Sequence, residues 1–319
     1  MHFGGLQCCI SIFVFLNLQV IATGQDVGRH FSRMDGQTSE QDENDNEDCM
    51  KCGLDVIDRE GRVVNGEEVK PLNKYPWIVP LNVGNRTVCG GALISRTFII
   101  TAAHCIFNLR KKDLPECIGY SPAKECYFSE KEVSIYLLGS QRFDRKLEIK
   151  RFHPHDWYYH YPLINDIALI ELAQPLKCSS KIYPICLATD EEMYKDDQII
   201  LVAGWGWNTP TGYNSPETLR EGVMRQVSSH NCMVKVLPTE TVNQFHCAVG
   251  TNQSICLGDS GSSNFIKFKN RFYTLGVTSS GLVPKELPLQ CNPGYFATFS
   301  KVLYFSKWIE THVKDLPEP

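Results

Sequence analysis

The stretch Ser254–Ser263 reads SICLGDSGSS. Its centre, Gly258-Asp259-Ser260-Gly261, sets a serine on a tight turn between glycines. A serine hydroxyl is a poor nucleophile until a neighbouring base takes its proton, and that base needs an orienting carboxylate. Both have candidates upstream. TAAHC (Thr101–Cys105) places His104 directly after the β-rich run TFII, and NDIALIEL (Asn165–Leu172) places Asp166 at the entrance of an apolar strand. Taken singly, a lone histidine is more often structural and an aspartate before a strand is ordinary turn chemistry. Together, in the order His, Asp, Ser, they point to nucleophilic catalysis.

The surrounding texture predicts an all-β chain. Short β-rich runs recur from Val63 onward: YPWIVPLNV, TFIITAA, VSIYLLG, IALIEL, QIILVAGWG and FYTLGVTSS. Gly, Pro, Asn and Asp separate them at short intervals, as in a sandwich or barrel. Only the end, KVLYFSKWIETHV, reads as an amphipathic helix, with Val302, Phe305, Ile309 and Val313 at helical spacing. An α/β-hydrolase esterase is excluded by this texture and by the order of the three residues.

A net charge of −4 over 319 residues gives no electrostatic case for nucleic acid or an anionic membrane. Fourteen cysteines point to an oxidising compartment. The apolar run CCISIFVFL (Cys8–Leu16), followed by Ala22 and Gly24, predicts a signal peptide over residues 1–24. As a membrane anchor it falls short of the roughly 20 residues a spanning helix needs, so the expected location is secreted and extracellular. The run SEQDENDNED (Ser39–Asp48) then has the composition of a solvated segment.

RVVNG (Arg62–Gly66), TAAHC, NDIALIEL, VAGWG (Val202–Gly206) and GDSG together resemble the landmarks of the chymotrypsin/trypsin serine protease family, over residues 63–319. The resemblance implies two six-stranded antiparallel β-barrels and a C-terminal helix. It implies a serine endopeptidase in which Ser260 attacks, His104 is the base, Asp166 orients it, and the Gly258 and Ser260 N–H groups hold the oxyanion. It also implies a zymogen, with residues 25–62 as an acidic propeptide. Cleavage after Arg62 would free the Val63 ammonium to pair with Asp259 and order the site. Expected partners are protein or peptide substrates, a separate trypsin-like activating protease and protein inhibitors. No cofactor and no metal, calcium included, is expected.

The same resemblance pairs Cys89–Cys105, Cys232–Cys247, Cys256–Cys291 and Cys52–Cys186. It leaves Cys117–Cys126 in an insertion and Cys49–Cys178 as a second propeptide tether. A redox or zinc role for Cys49-x-x-Cys52 conflicts with secretion. A pair common in relatives is replaced by Ile200 and Ile266, both apolar. Ser254 stands at the floor of the specificity pocket, with Ile255, Leu257, Ser279, Ser280, Gly281 and Gly294 around it. The pocket carries no fixed negative charge, so large apolar or aromatic P1 residues are expected. Ser280 replaces a tryptophan, and Ser262-Ser263 replace Gly-Pro. These departures favour the alternative, a catalytically impaired homologue that binds partners. Asn85 and Asn252 lie in glycosylation sequons. The histidines of HPHDWYYH, His153, His155 and His160, read as incidental to a surface loop rather than as a metal site.

Overall fold

Alternating and fully apolar runs both become strands, in two sheets that are antiparallel but for one short parallel pairing. This is a computed structural model, and it describes residues 50–54, 67–179, 181–206, 218–232, 239–251, 255–281 and 294–319. All of them belong to one compact unit, Ser39–Pro319. The signal segment, the acidic run, Cys49, Arg62, Val63, Asn252, Ser254 and Cys291 lie outside the described residues.

After the short β1 (Glu67–Glu68), seven strands build the first sheet: β2 (Ile78–Val83), β3 (Arg86–Leu93), β4 (Phe98–Thr101), β5 (Val133–Leu138), β6 (Phe143–Leu147), β7 (Ile149–Pro154) and β8 (Ala168–Leu172). Their order is β6-β5-β2-β3-β4-β8-β7. The two edge strands, β6 and β7, are separated in the chain by Glu148 alone, so the half-barrel curls back on itself. The second sheet holds β9 (Cys186–Leu187), β10 (Ile199–Gly204), β11 (Arg220–Val227), β12 (Phe245–Gly250), β13 (Ser263–Phe268), β14 (Arg271–Gly281) and β15 (Phe296–Lys301). The path β11-β10-β13-β14-β15-β12 closes through a β11–β12 pairing into a six-stranded barrel. The expected pair of barrels is thus one closed barrel and one half-barrel.

A continuous core joins them. Trp77, in the turn that leads into β2, and Phe265, on β13, meet edge to face at 5.4 Å, and both are fully buried. Edge-to-face rings add to the area they bury. The C-terminal helix, Val302–His312, buries Val302, Phe305 and Ile309 in the same core, and Val313 at its C-cap is buried as well. At about 2 kcal/mol for each large apolar side chain, that stripe holds the helix down, while Tyr304, Lys307 and Glu310 face water. Ile200 and Ile266 are buried in one hydrophobic cluster of the closed barrel, where packing stands in for a covalent link.

Disulfides join Cys52–Cys186, Cys89–Cys105, Cys117–Cys126 and Cys232–Cys247. Cys178 and Cys256 are also disulfide-bonded, and their expected partners, Cys49 and Cys291, are not among the described residues. The segment Met50–Leu54 is pinned to the domain beyond its bridge. Gly53 N–H donates to Pro184 O at 2.8 Å, Phe272 N–H to Gly53 O at 2.8 Å, and Glu318 N–H to Met50 O at 2.9 Å.

Candidate active site

His104 follows β4 on the short helix Ala103–Ile106, and Asp166 precedes β8, the strand paired with β4. That pairing brings the two residues together. Asp166 is 0% exposed. Its Oδ1 accepts from the His104 backbone N–H at 2.9 Å, and its Oδ2 accepts from His104 Nδ1 at 2.7 Å and from Ser279 Oγ at 2.6 Å. An ionised carboxylate only accepts, so Nδ1 carries the proton and Nε2 is left as the basic nitrogen. Ser300 Oγ donates to the Asp166 carbonyl at 2.6 Å. The three bonds to the carboxylate are charge-assisted and compensate its burial.

The His104 side chain is 17% exposed. Burial alone would push its pKa down, but the charge of Asp166 and the bond to it override burial and hold the imidazole above its ordinary value. Cys89, His104 and Cys105 lie close together, yet both sulfurs are committed to a disulfide, so this group is no metal centre.

The serine turn lies against the same strands. Gly90 N–H donates to Ser260 O at 2.8 Å, and Gly261 N–H donates to Thr278 O at 2.8 Å. A Cβ on Gly261 would collide with Thr101 Oγ1 and stand 2.9 Å from Cys105 Sγ, the atom 3.9 Å from His104 Nε2. Gly261 is therefore wedged between the β3–β4 wall and the histidine's neighbour, and Ser260 precedes it. Gly258 has φ +102°, and a Cβ there would approach Trp205 O to 3.0 Å. Only glycine takes this conformation without strain. Among the described residues, the N–H groups of Gly258 and Ser260 have no acceptor and Ser260 Oγ has no hydrogen bond.

Asp259 points away from the serine. Its carboxylate accepts from Gly206 N–H at 2.7 Å and from Cys256 N–H at 2.8 Å. Removal from water nonetheless pushes its pKa up to about 6, against those two donors.

Ser262 and Ser263 are both buried, at 4% and 3% exposure. Ser262 does not have positive φ, so the backbone needs no glycine there. Its Oγ packs over Gly90, where a Cβ would collide with it, and has no hydrogen-bond partner. Ser263 Oγ bonds Thr274 Oγ1. Both serines are thus accommodated by packing and bonding.

Of the pocket residues expected from sequence, Ser279 is held by Asp166, Ser280 is half-buried, and Leu257 is 46% exposed beside Gly258. Ile255 packs on the closed-barrel core, Gly281 ends β14, and Gly294 is exposed. Asn85 is exposed on the turn between β2 and β3.

Sequence reading missed the wall behind His104. The insertion after the helix returns through a Phe107–Tyr127 bridge, with Phe128 N–H donating to Ile106 O at 2.9 Å. Phe107, Tyr127, Tyr158 and the Cys117–Cys126 bridge then bury one cluster around Ala103 and Ile106. Burial, and next the charge of Asp166, push the Tyr127 and Tyr158 phenols up. The HPHDWYYH histidines are not incidental. His153 bonds Glu171 at 3.1 Å, His155 packs on Phe305 and Trp308, and His160 stacks on Phe107 at 4.6 Å. Insertion length and aromatic content were the only signals in the sequence that could have found this wall.

A family model described as Trypsin matches residues 63–309.

Proposed function

This chain belongs to the trypsin family, and on that footing we propose that it is a secreted serine endopeptidase made as a zymogen. The observation that carries this reading is the His104–Asp166 pair. The bond at 2.7 Å between Nδ1 and Oδ2 leaves Nε2 as the acceptor for a serine proton. Ser260 Oγ attacks the scissile carbonyl as its proton passes to His104 Nε2. The oxyanion is held by the Gly258 and Ser260 N–H groups. His104 returns the proton to the leaving amine, giving an acyl-enzyme ester, and water repeats the cycle to release the acid.

Cleavage after Arg62 creates an ammonium at Val63, and Asp259 is its partner. In the single chain that carboxylate is buried away from water and, among the described residues, compensated by two N–H groups. A cation would stabilise it. Cys52–Cys186 keeps the propeptide attached after the cut. By family resemblance the pocket floor falls at Ser254, which carries no charge, so the enzyme prefers large apolar or aromatic P1 residues and another protease of trypsin-like specificity cuts after Arg62. Among the described residues no helix is long and apolar enough to cross a membrane.

The test is a peptide-library digest by protein cleaved at Arg62. Cleavage after Phe, Tyr, Leu or Met, absent from Ser260→Ala, is expected. Cleavage after Lys or Arg would refute the specificity assignment. Rapid self-cleavage of purified zymogen that is lost in Ser260→Ala would refute the separate activator.

A further inference from the structure

The residues preceding the tether are unusually charged. Glu40, Asp42, Glu43, Asp45, Glu47 and Asp48 place six carboxylates in nine residues, with no Lys or Arg among them. The chain becomes fixed immediately afterwards, at Met50, through its bond from Glu318 and the Cys52–Cys186 bridge.

A cationic cleft lies within reach of that anchor. It has a volume of about 500 Å³ and runs between the β5–β6 turn and the 179–182 turn. Arg142 and Lys181 line it, with Asp144 as the acidic exception. Lys146 shares a face of β6 with Asp144, by the two-residue period of a strand, and Arg145 adjoins it. Arg142, Arg145, Lys146 and Lys181 are all exposed, and among the described residues none has an ion-pair partner. The tether touches the same wall. Leu54 packs on Cys178 and Tyr183, which flank the 179–182 turn. Nine extended residues span roughly 30 Å, so the acidic segment reaches the cleft. A Cys49–Cys178 bridge would bring Asp48 to its edge.

We propose that residues 40–48 dock in cis along this cleft, pairing with Arg142, Lys146 and Lys181. Each exposed pair is weak and screened by salt, but covalent attachment makes the encounter intramolecular at high effective concentration. Because the tether survives cleavage after Arg62, the cleft stays covered in the two-chain form. Other anionic partners must displace the segment to bind there. This surface is independent of catalytic competence, so the peptidase reading and this one fail separately.

The experiment is zero-length carbodiimide cross-linking of the full uncleaved chain, read by mass spectrometry on a mixture of isotopically labelled and unlabelled protein. Expected are intrachain links from Glu40–Asp48 to Lys146 and Lys181, lost at about 0.5 M salt. They should fall at least several-fold in an Arg142→Glu/Arg145→Glu variant, whose circular dichroism should match the parent because both residues are exposed. Links spread over lysines outside the cleft, such as Lys111 and Lys131, would overturn the proposal, as would links insensitive to salt or no links at all from the segment. Links between labelled and unlabelled chains would also overturn it, assigning the cleft to a second copy.

Discussion

The Asp166 carboxylate accepts three hydrogen bonds and has no exposed surface, so water screens its charge little where it meets His104. Asp166→Asn should lower kcat by about 10⁴-fold, since the amide favours the wrong imidazole tautomer. It should also move the His104 titration, followed by NMR, to lower pH. In the parent, the raised pKa means that activity falls with acidity through a value above 6.5. The stabilisation runs the other way. A histidine held above its unfolded pKa stabilises the fold fully below 6.5 and loses that contribution as pH rises through the folded value. Ser262→Gly is a contrasting case. The hydroxyl is buried without a partner, a penalty of about 1–3 kcal/mol, whereas glycine costs about 0.5–1 kcal/mol in chain entropy. The variant should keep activity and melt no lower than the parent by calorimetry. At this scale His104, Asp166 and Ser260 were legible as candidates only together, through their order and the motifs around them, since each alone reads as ordinary turn or structural chemistry. Ser300 and Gly90 were not, since their roles arise from bonds to Asp166 and Ser260, residues far away in the chain.

Among the elements, the strands announced themselves through apolar runs and the final helix through its 3.6-residue period. The insertion after His104 did not, because it lacks regular periodicity and is held by aromatic packing and Cys117–Cys126. Replacing both of those cysteines with serine should lower stability by about 2–3 kcal/mol. Hydrogen exchange should speed up across residues 109–127, and kcat/KM should drop as the support for His104 loosens. The His153–His160 segment was misjudged for a related reason: a histidine's burial depends on what the C-terminal helix brings to it. His155 lies against Phe305 and Trp308, and burial pushes its pKa down to about 4. Its NMR resonance should titrate near that value. Between about pH 6.5 and 4 the unfolded chain then binds more protons, so stability falls as pH drops through this window.

For the whole molecule, two sheets of different closure meet across one core, and the candidate site draws Asp166 and His104 from the half-barrel and Ser260 and Ser279 from the closed barrel side. The family resemblance implied the β architecture with its C-terminal helix; that the first sheet leaves β6 and β7 unpaired to each other was invisible in sequence. Asp259 links this scale to activation. Its folded pKa near 6, raised by burial, makes a contribution to the uncleaved chain's stability that fades as pH rises from about 4 to about 6, opposite in sign to that of His155. The difference in melting temperature between parent and Asp259→Asn should therefore vary with pH across this window, and under the proposed activation it should flatten after cleavage at Arg62. The most direct measurement is labelling with a fluorophosphonate before and after cutting at Arg62. Labelling of Ser260 should appear only after the cut and vanish in Ser260→Ala. Folded protein, correctly cleaved yet unlabelled, would contradict the account.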